Sequence, residues 1–278
     1  NWECYQGIAT DSWRASCGTD GRFTGAATLA GSPIFFKEDC FHRVYPSAQG
    51  AHRVVEQKAR GVQYGSAKSL AVIAERLYYK ARDGVCVYDG SLPVLISQAF
   101  GTELYRSAAA GGVRGKYYIS MQDARDGWHL FVYDTKSGLW HREDATKAVQ
   151  LARVQDELYF LDGDGKLWSV YASAGTKEGA VSWSAETGVL GFGSVGKKYV
   201  SRLNLRMQLP KGSRCDFWVQ YDSDGQWRHA GHMEGRQLKS FLLPIRPCRC
   251  DHLRFKMTGS GDFRLYSLAR LMEYGSDA

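Results

Sequence analysis

KYYIS (116–120) and WHLFVYDTKSGLW (128–140) read as two strands in succession, and they decide the fold class. Tyr, Phe, Ile and Val fit a pleated, half-buried surface better than a helix surface. DARDG (123–127) between the strands has the composition of a hairpin turn. DTKSG (134–138) is a second hairpin turn, and each offers Gly where a positive φ is required. The pair recurs on both sides. Upstream stand PIFF (33–36) with HRVY (42–45), and RLYYK (76–80) with VCVYDG (85–90); downstream stands ELYFLD (157–162) with KLWSVYA (166–172), joined by the hairpin turn DGDG (162–165). The leading aromatics Phe35, Tyr78, Tyr118 and Tyr159 are 43, 40 and 41 residues apart. The trailing Tyr45, Tyr88, Tyr133 and Tyr171 are 43, 45 and 38 apart.

Each unit is preceded by a small, apolar stretch: GAATLAG, SLAVIAE, SAAAGGVRG and AVQLARV. Small side chains let a strand approach a crowded axis, as the innermost strand of a propeller blade must. Units of about 40 residues holding three or four short strands match propeller blades. Helical repeats would need apolar residues at i, i+3, i+4 and i+7, a pattern these segments lack. The fold predicted for residues 1–190 is a β-propeller-like repeat domain with four to five blades, residues 1–19 supplying the end of a fifth.

Residues 197–278 change pattern. In RLNLRMQL (202–209), Leu203, Leu205, Met207 and Leu209 alternate with Arg202, Asn204, Arg206 and Gln208. CDFWVQY (215–221) and DHLRFKM (251–257) alternate in the same way, with Leu253, Phe255 and Met257 on the inward side. Strict alternation marks strands with one buried and one solvated face. The expected architecture is an antiparallel β-sandwich or jelly roll, so the whole chain is all-β. The charge supports a separate domain: residues 1–190 hold 21 Lys+Arg and 21 Asp+Glu, whereas residues 191–278 hold 15 and 8. The entire net charge of +7 therefore falls in the last third, beyond the charge-free, glycine-rich TGVLGFGSVG (187–196).

Arg202, Arg206, Arg254 and Lys256 fall on the outward side of their strands and form the candidate binding face. A basic face fits an acidic protein surface, an anionic glycan or nucleic acid. Nucleic-acid recognition needs interleaved exposed aromatics, and only Trp218 and Trp227 qualify, so a nucleic-acid partner is not expected. No run of about 18 apolar residues exists, so no helical membrane span is expected. NWECYQGIAT lacks the features of a signal peptide and the chain lacks an initiator Met, which suggests further sequence upstream. Seven irregularly spaced Cys fit a reducing compartment. Cys248 and Cys250 stand two apart with no second pair to complete a zinc site.

No constellation points to catalysis. Asp83, Asp89, Asp126, Asp134, Asp162 and Asp164 lie in turns, where carboxylates bond neighbouring backbone. DGDG lacks the remaining ligands of a calcium loop. HAGH (229–232) lacks a third metal ligand, and GFGSVG (191–196) follows no βαβ unit. The expectation is a chain without enzymatic activity, metal or cofactor. YDTKSGLW (133–140) resembles the hairpin of kelch-type blades, and YDSDGQW (221–227) resembles a sialidase Asp-box; both are structural signatures.

KKYVSRLNLRMQLPKGS, WVQYDSDGQW and SFLLPIRPCRCDHLRFKMTGSGDFRLYSLARLMEYGSD resemble the ends of tail and neck structural proteins of phages and prophages from gut Firmicutes. The resemblance covers residues 197–278, and residues 60–190 in architecture only. It implies a virion component assembled in the bacterial cytoplasm, homo-oligomeric and in contact with other tail proteins. The competing reading is a glycan-binding surface-recognition module. That reading requires exposed Trp or Tyr clustered with Asp, Asn or Arg on one propeller face.

Overall fold

The computed structural model describes residues 16–47, 52–171, 181–191, 193, 198–246 and 248–273. The expected fifth-blade remnant lies for the most part outside the described residues. Among them the chain is strand throughout, with helix limited to two single-turn segments, Ala67–Ser69 and Gln98–Phe100. Among the described residues no helix is long and apolar enough to cross a membrane. The chain divides into two compact units, Asn1–Ala174 and Gly175–Ala278.

In the first unit each repeat is one antiparallel sheet whose strands are neighbours in chain order. The first sheet holds β1 (Gly25–Leu29), β2 (Ser32–Phe36), β3 (Cys40–Tyr45) and β4 (Arg53–Lys58). The second holds β5 (Ala71–Ile73), β6 (Arg76–Ala81), β7 (Gly84–Tyr88) and β8 (Val94–Leu95). The third holds β9 (Arg106–Val113), β10 (Lys116–Gln122), β11 (Trp128–Asp134) and β12 (Leu139–Arg142). The fourth holds β13 (Ala148–Val154), β14 (Glu157–Asp162) and β15 (Leu167–Ser169).

The aromatic doublets explain how these sheets pack. Adjacent strand residues point to opposite faces, so Tyr78 and Tyr79 serve different cores. Tyr79 joins Phe36 and Phe41 of the first sheet, while Tyr78 stacks on Tyr117 of the third at 5.3 Å between ring centres. Tyr117 in turn faces the second sheet, and Tyr118 faces Leu151 and Leu158 of the fourth. The second and third sheets are thus covered on both faces, and four sheets stack face to face in chain order as propeller blades do.

The small residues of the inner strands have the expected use. A Cβ on Gly112 would stand 2.3 Å from Ile73 of the second sheet, and one on Gly111 2.8 Å from Leu151 of the fourth. Ser66 and Ser69 tie the same region together. Ser66 Oγ accepts the Ala108 amide at 3.1 Å, and the Tyr117 hydroxyl donates to the Ser69 carbonyl at 2.7 Å. Lys68 Nζ reaches the Val149 carbonyl of β13 at 3.0 Å. Gly112→Ala is expected to cost about 1–3 kcal/mol because an inserted methyl overpacks a closed core. Equilibrium urea unfolding reads this, and an unchanged midpoint would show that the inner strands do not touch. The turns behave as expected with one exception. In DARDG the positive φ belongs to Asp126 at 65°, not to Gly127. Asp123 holds that turn by accepting the amides of Arg125 and Gly127, each at 2.8 Å.

The second unit contains β16 (Ser182–Glu186), β17 (Lys198–Tyr221), β18 (Arg228–Pro244), β19 (Arg249–Cys250), β20 (Leu253–Ser260) and β21 (Arg264–Glu273). β16 pairs with β20, and Leu190 bridges Leu253, so the unit starts upstream of the glycine-rich stretch. β17 and β18 are long strands that serve two layers. The first half of β17 lies between β21 and the second half of β18; its second half lies between β20 and the first half of β18. The register breaks between Leu209 and Arg214, where Pro210 and Gly212 (φ 90°) sit. A strand that changes sheet at such a break makes the corner of a sandwich. Leu203, Leu205, Met207 and Leu209 meet Phe217, Val219, Leu253, Phe255 and Met257 in one core, with Phe217 and Phe241 stacked across it at 6.2 Å.

Candidate functional site

The first three sheets present a cavity rimmed by charged side chains at one end of their strands. Its walls are the β2–β3 turn (Glu38, Asp39), the chain leaving β4 (Ala59, Arg60, Gln63), the β6–β7 turn (Arg82, Asp83) and the approach to β9 (Leu104, Tyr105, Arg106). Ala124 of the β10–β11 turn completes the rim, and the volume is about 750 Å³. These positions converge because β2, β6 and β10 all end on the same side as β4.

Three guanidinium–carboxylate pairs surround the opening. Arg60 Nε lies 2.7 Å from Asp83 Oδ2, Arg82 lies 3.8 Å from Asp39, and Arg106 bonds Asp126. The hydrogen bond from Arg60 to Asp83, reinforced by its charge, raises the guanidinium pKa further. Arg60 is placed by its own carbonyl, which accepts the hydroxyl of the buried Tyr79 at 2.6 Å. Glu38 accepts the Tyr64 amide at 3.0 Å. Tyr105 supplies a half-buried ring that meets Phe100 edge-on at 5.8 Å and Phe131 at 5.4 Å. Gln63 Oε1 is buried at the wall without a hydrogen-bond donor.

Lys80 lies beneath the Arg82–Asp83 turn. Its ammonium is buried and donates to the carbonyls of Ala81 and Arg82. Burial lowers its pKa from 10.5 to about 8, against a smaller opposing effect of Asp83.

The four residues predicted as one basic face are not brought together. Arg202 and Arg206 lie on the outward side of the layer formed with β21. Arg254 and Lys256 lie on β20, on the outward side of the opposite layer. The corner in β17 turns the two outward faces away from one another, so the expectation of a single cationic surface is corrected. Sequence reasoning also missed the propeller cavity. Asp83 and Asp126 do more than the turn role expected of them, since each pairs with an arginine at the rim. Asp89, Asp134 and Asp162 do hold turns, accepting the amides of Ser91, Lys136 and Lys166 at 2.8–3.0 Å. His229, half of the HAGH pair, bonds Asp216 at 3.2 Å, and among the described residues no group of three His, Cys, Asp or Glu gathers as for a metal.

No family model matches the chain, and no curated protein matches it. Solved structures that it resembles include the exo-beta-1,3-galactanase of Phanerochaete chrysosporium, with galactose and, in two variant forms, with beta-1,3-galactotriose. Identities are 9–10%, coverage is 84% of this chain and 78% of the galactanase, and the TM-score is 0.29 in each case. A TM-score at that level assigns no residue a role. Two expectations are corrected against this finding: the non-enzymatic phage virion component and the chain without enzymatic activity. The solved structures named are those of an exo-beta-1,3-galactanase, and neither expectation is carried forward.

Proposed function

We propose that this chain is a glycan-binding surface-recognition protein whose propeller cavity seats a sugar. The observation that carries the reading is Tyr105 set among three guanidinium–carboxylate pairs on one propeller face. A pyranose presents neighbouring hydroxyls that each donate and accept, together with apolar C–H patches. A guanidinium beside a carboxylate offers donor and acceptor side by side, which matches a vicinal diol. The Tyr105 ring offers a surface for the C–H patch. The cavity size falls within the range of small-ligand sites.

The test is a glycan array followed by calorimetry on the full chain. Tyr105→Ala and Arg82→Ala are each expected to weaken the bound glycan about ten-fold, the loss of one good polar or stacking contact. Absence of saturable binding to any glycan would overturn the reading. New reducing ends during the same incubation would show that the bound sugar is also cleaved.

A further inference from the structure

The outward face of β16, β20 and the second half of β17 carries a second arrangement, independent of the propeller cavity. Its register lines up side chains across four strands. Glu186, Lys256, Trp218 and His229 share one rung, and Ser184, Thr258 and Asp216 share the next. Trp218 donates its indole N–H to Thr258 Oγ1 at 3.1 Å and meets His229 edge-on at 4.8 Å. Trp227, from the turn between β17 and β18, is also half-buried; Lys256 Nζ lies 5.3 Å and Arg254 Cζ 5.7 Å from its ring centre. Beside this pair runs an open groove of about 500 Å³ lined by Ser184, Arg214, Asp216, Thr258 and Ser260.

The charges on this face are unequal in their commitments. Arg254 is held by Glu186 and by Gln220 at 3.4 Å. Arg214 is held by Asp216 at 2.9 Å and Glu234 at 3.3 Å, and that bond keeps the Asp216 carboxyl below its usual range. Among the described residues Lys256 has no carboxylate within ion-pairing distance. An ammonium outside any ion pair, set over the Trp227 ring and one rung-neighbour from Trp218, offers a charge contact beside apolar surface.

We propose that this face is a second binding site, and that it takes an acidic sugar residue, with the anionic group on Lys256 and the ring on Trp218 and Trp227. Asp216 and Glu186 are each paired with an arginine, which leaves one cation outside an ion pair, and a single cation suits one carboxylate among neutral hydroxyls rather than a continuous phosphate backbone. The groove hydroxyls of Ser184, Thr258 and Ser260 suit the neutral hydroxyls of the same chain.

The test uses the full chain and two probes of equal length, a neutral oligogalactoside and the same oligogalactoside ending in one galacturonic acid residue. The acidic probe is expected to bind more tightly, with affinity falling as salt rises. Lys256→Gln is expected to weaken the acidic probe about ten-fold, as loss of a charge-assisted contact does, and to leave the neutral probe unchanged. Trp227→Ala weakens both probes, with an unchanged melting temperature as the control for folding. Arg82→Ala, in the propeller cavity, leaves binding here intact, so the two sites succeed or fail separately. Equal affinity for the two probes, an unaffected Lys256→Gln variant, or displacement of the acidic probe by single-stranded RNA at equal concentration would overturn the proposal.

Discussion

Tyr79→Ala is expected to destabilise the propeller unit by about 3–5 kcal/mol, the range for removing a large aromatic side chain from a closed core. The ring is fully buried between the first and second sheets and lies 5.1 Å from Phe36 between ring centres. Little around it can collapse to fill the space, since Phe41, Cys86 and Tyr88 are themselves held by both sheets. Tyr79→Phe separates packing from hydrogen bonding. It keeps the ring but leaves the Arg60 carbonyl without its donor at 2.6 Å, at a cost of about 1–3 kcal/mol. Equilibrium urea unfolding measures both. Because Arg60 holds Asp83 at the cavity rim, Tyr79→Phe should also weaken the proposed glycan binding more than its stability loss explains. Two variants that unfold like the native chain would show that the first and second sheets do not share this core.

Lys80→Met should become the more stable protein at neutral pH, and its advantage should disappear in alkali. The ammonium is 1% exposed and its pKa falls to about 8 from 10.5, so the folded state releases the proton before the unfolded state does. Between those two values the unfolded chain binds more protons, and stability therefore rises with pH across that window. The charged lysine costs about 3 kcal/mol below pH 8, at 1.36 kcal/mol per pKa unit, and this cost vanishes by about pH 10.5. Cys86 is pushed up to about 12 and Tyr79 is raised by burial; both oppose the rise in alkali, and Cys86 does so more in the variant, which lacks the Lys80 charge that lowers its pKa. The measurement is accordingly the difference in unfolding free energy between native chain and variant from pH 7 to pH 11. A difference independent of pH would mean that Lys80 keeps its ordinary pKa and is not enclosed.

Much of the fold was legible because the signals are local. The doublets Tyr78–Tyr79 and Tyr117–Tyr118 mark strands buried on both sides, and Ala108–Gly112 marks a strand pressed between neighbours. In the second unit the alternation from Leu203 to Leu209 assigns every inward residue correctly. The start of that unit was harder to read. Ser182–Glu186 is short and lies before the glycine-rich stretch, so nothing within it says that its partner is Met257 some seventy residues on.

The residues of the candidate site were less legible for a related reason. Asp39, Arg60, Arg82, Asp83, Tyr105 and Arg106 share no spacing and sit in ordinary-looking turns; only the stacking of three sheets makes their loop ends meet. Arg202, Arg206, Arg254 and Lys256 show the opposite failure, because an identical outward pattern placed them on two different surfaces.

By themselves the amino acids determined that the chain is strand throughout, that it repeats as blades before a sandwich, and which side of each strand is buried. Those properties follow from the two-residue period of a strand and the size of its side chains, which act between neighbours. Only the tertiary structure decided which outward faces look the same way and which loops enclose a cavity. Those depend on how β17 turns at Pro210–Gly212 and on which blades stand side by side, and neither is encoded within one strand's period.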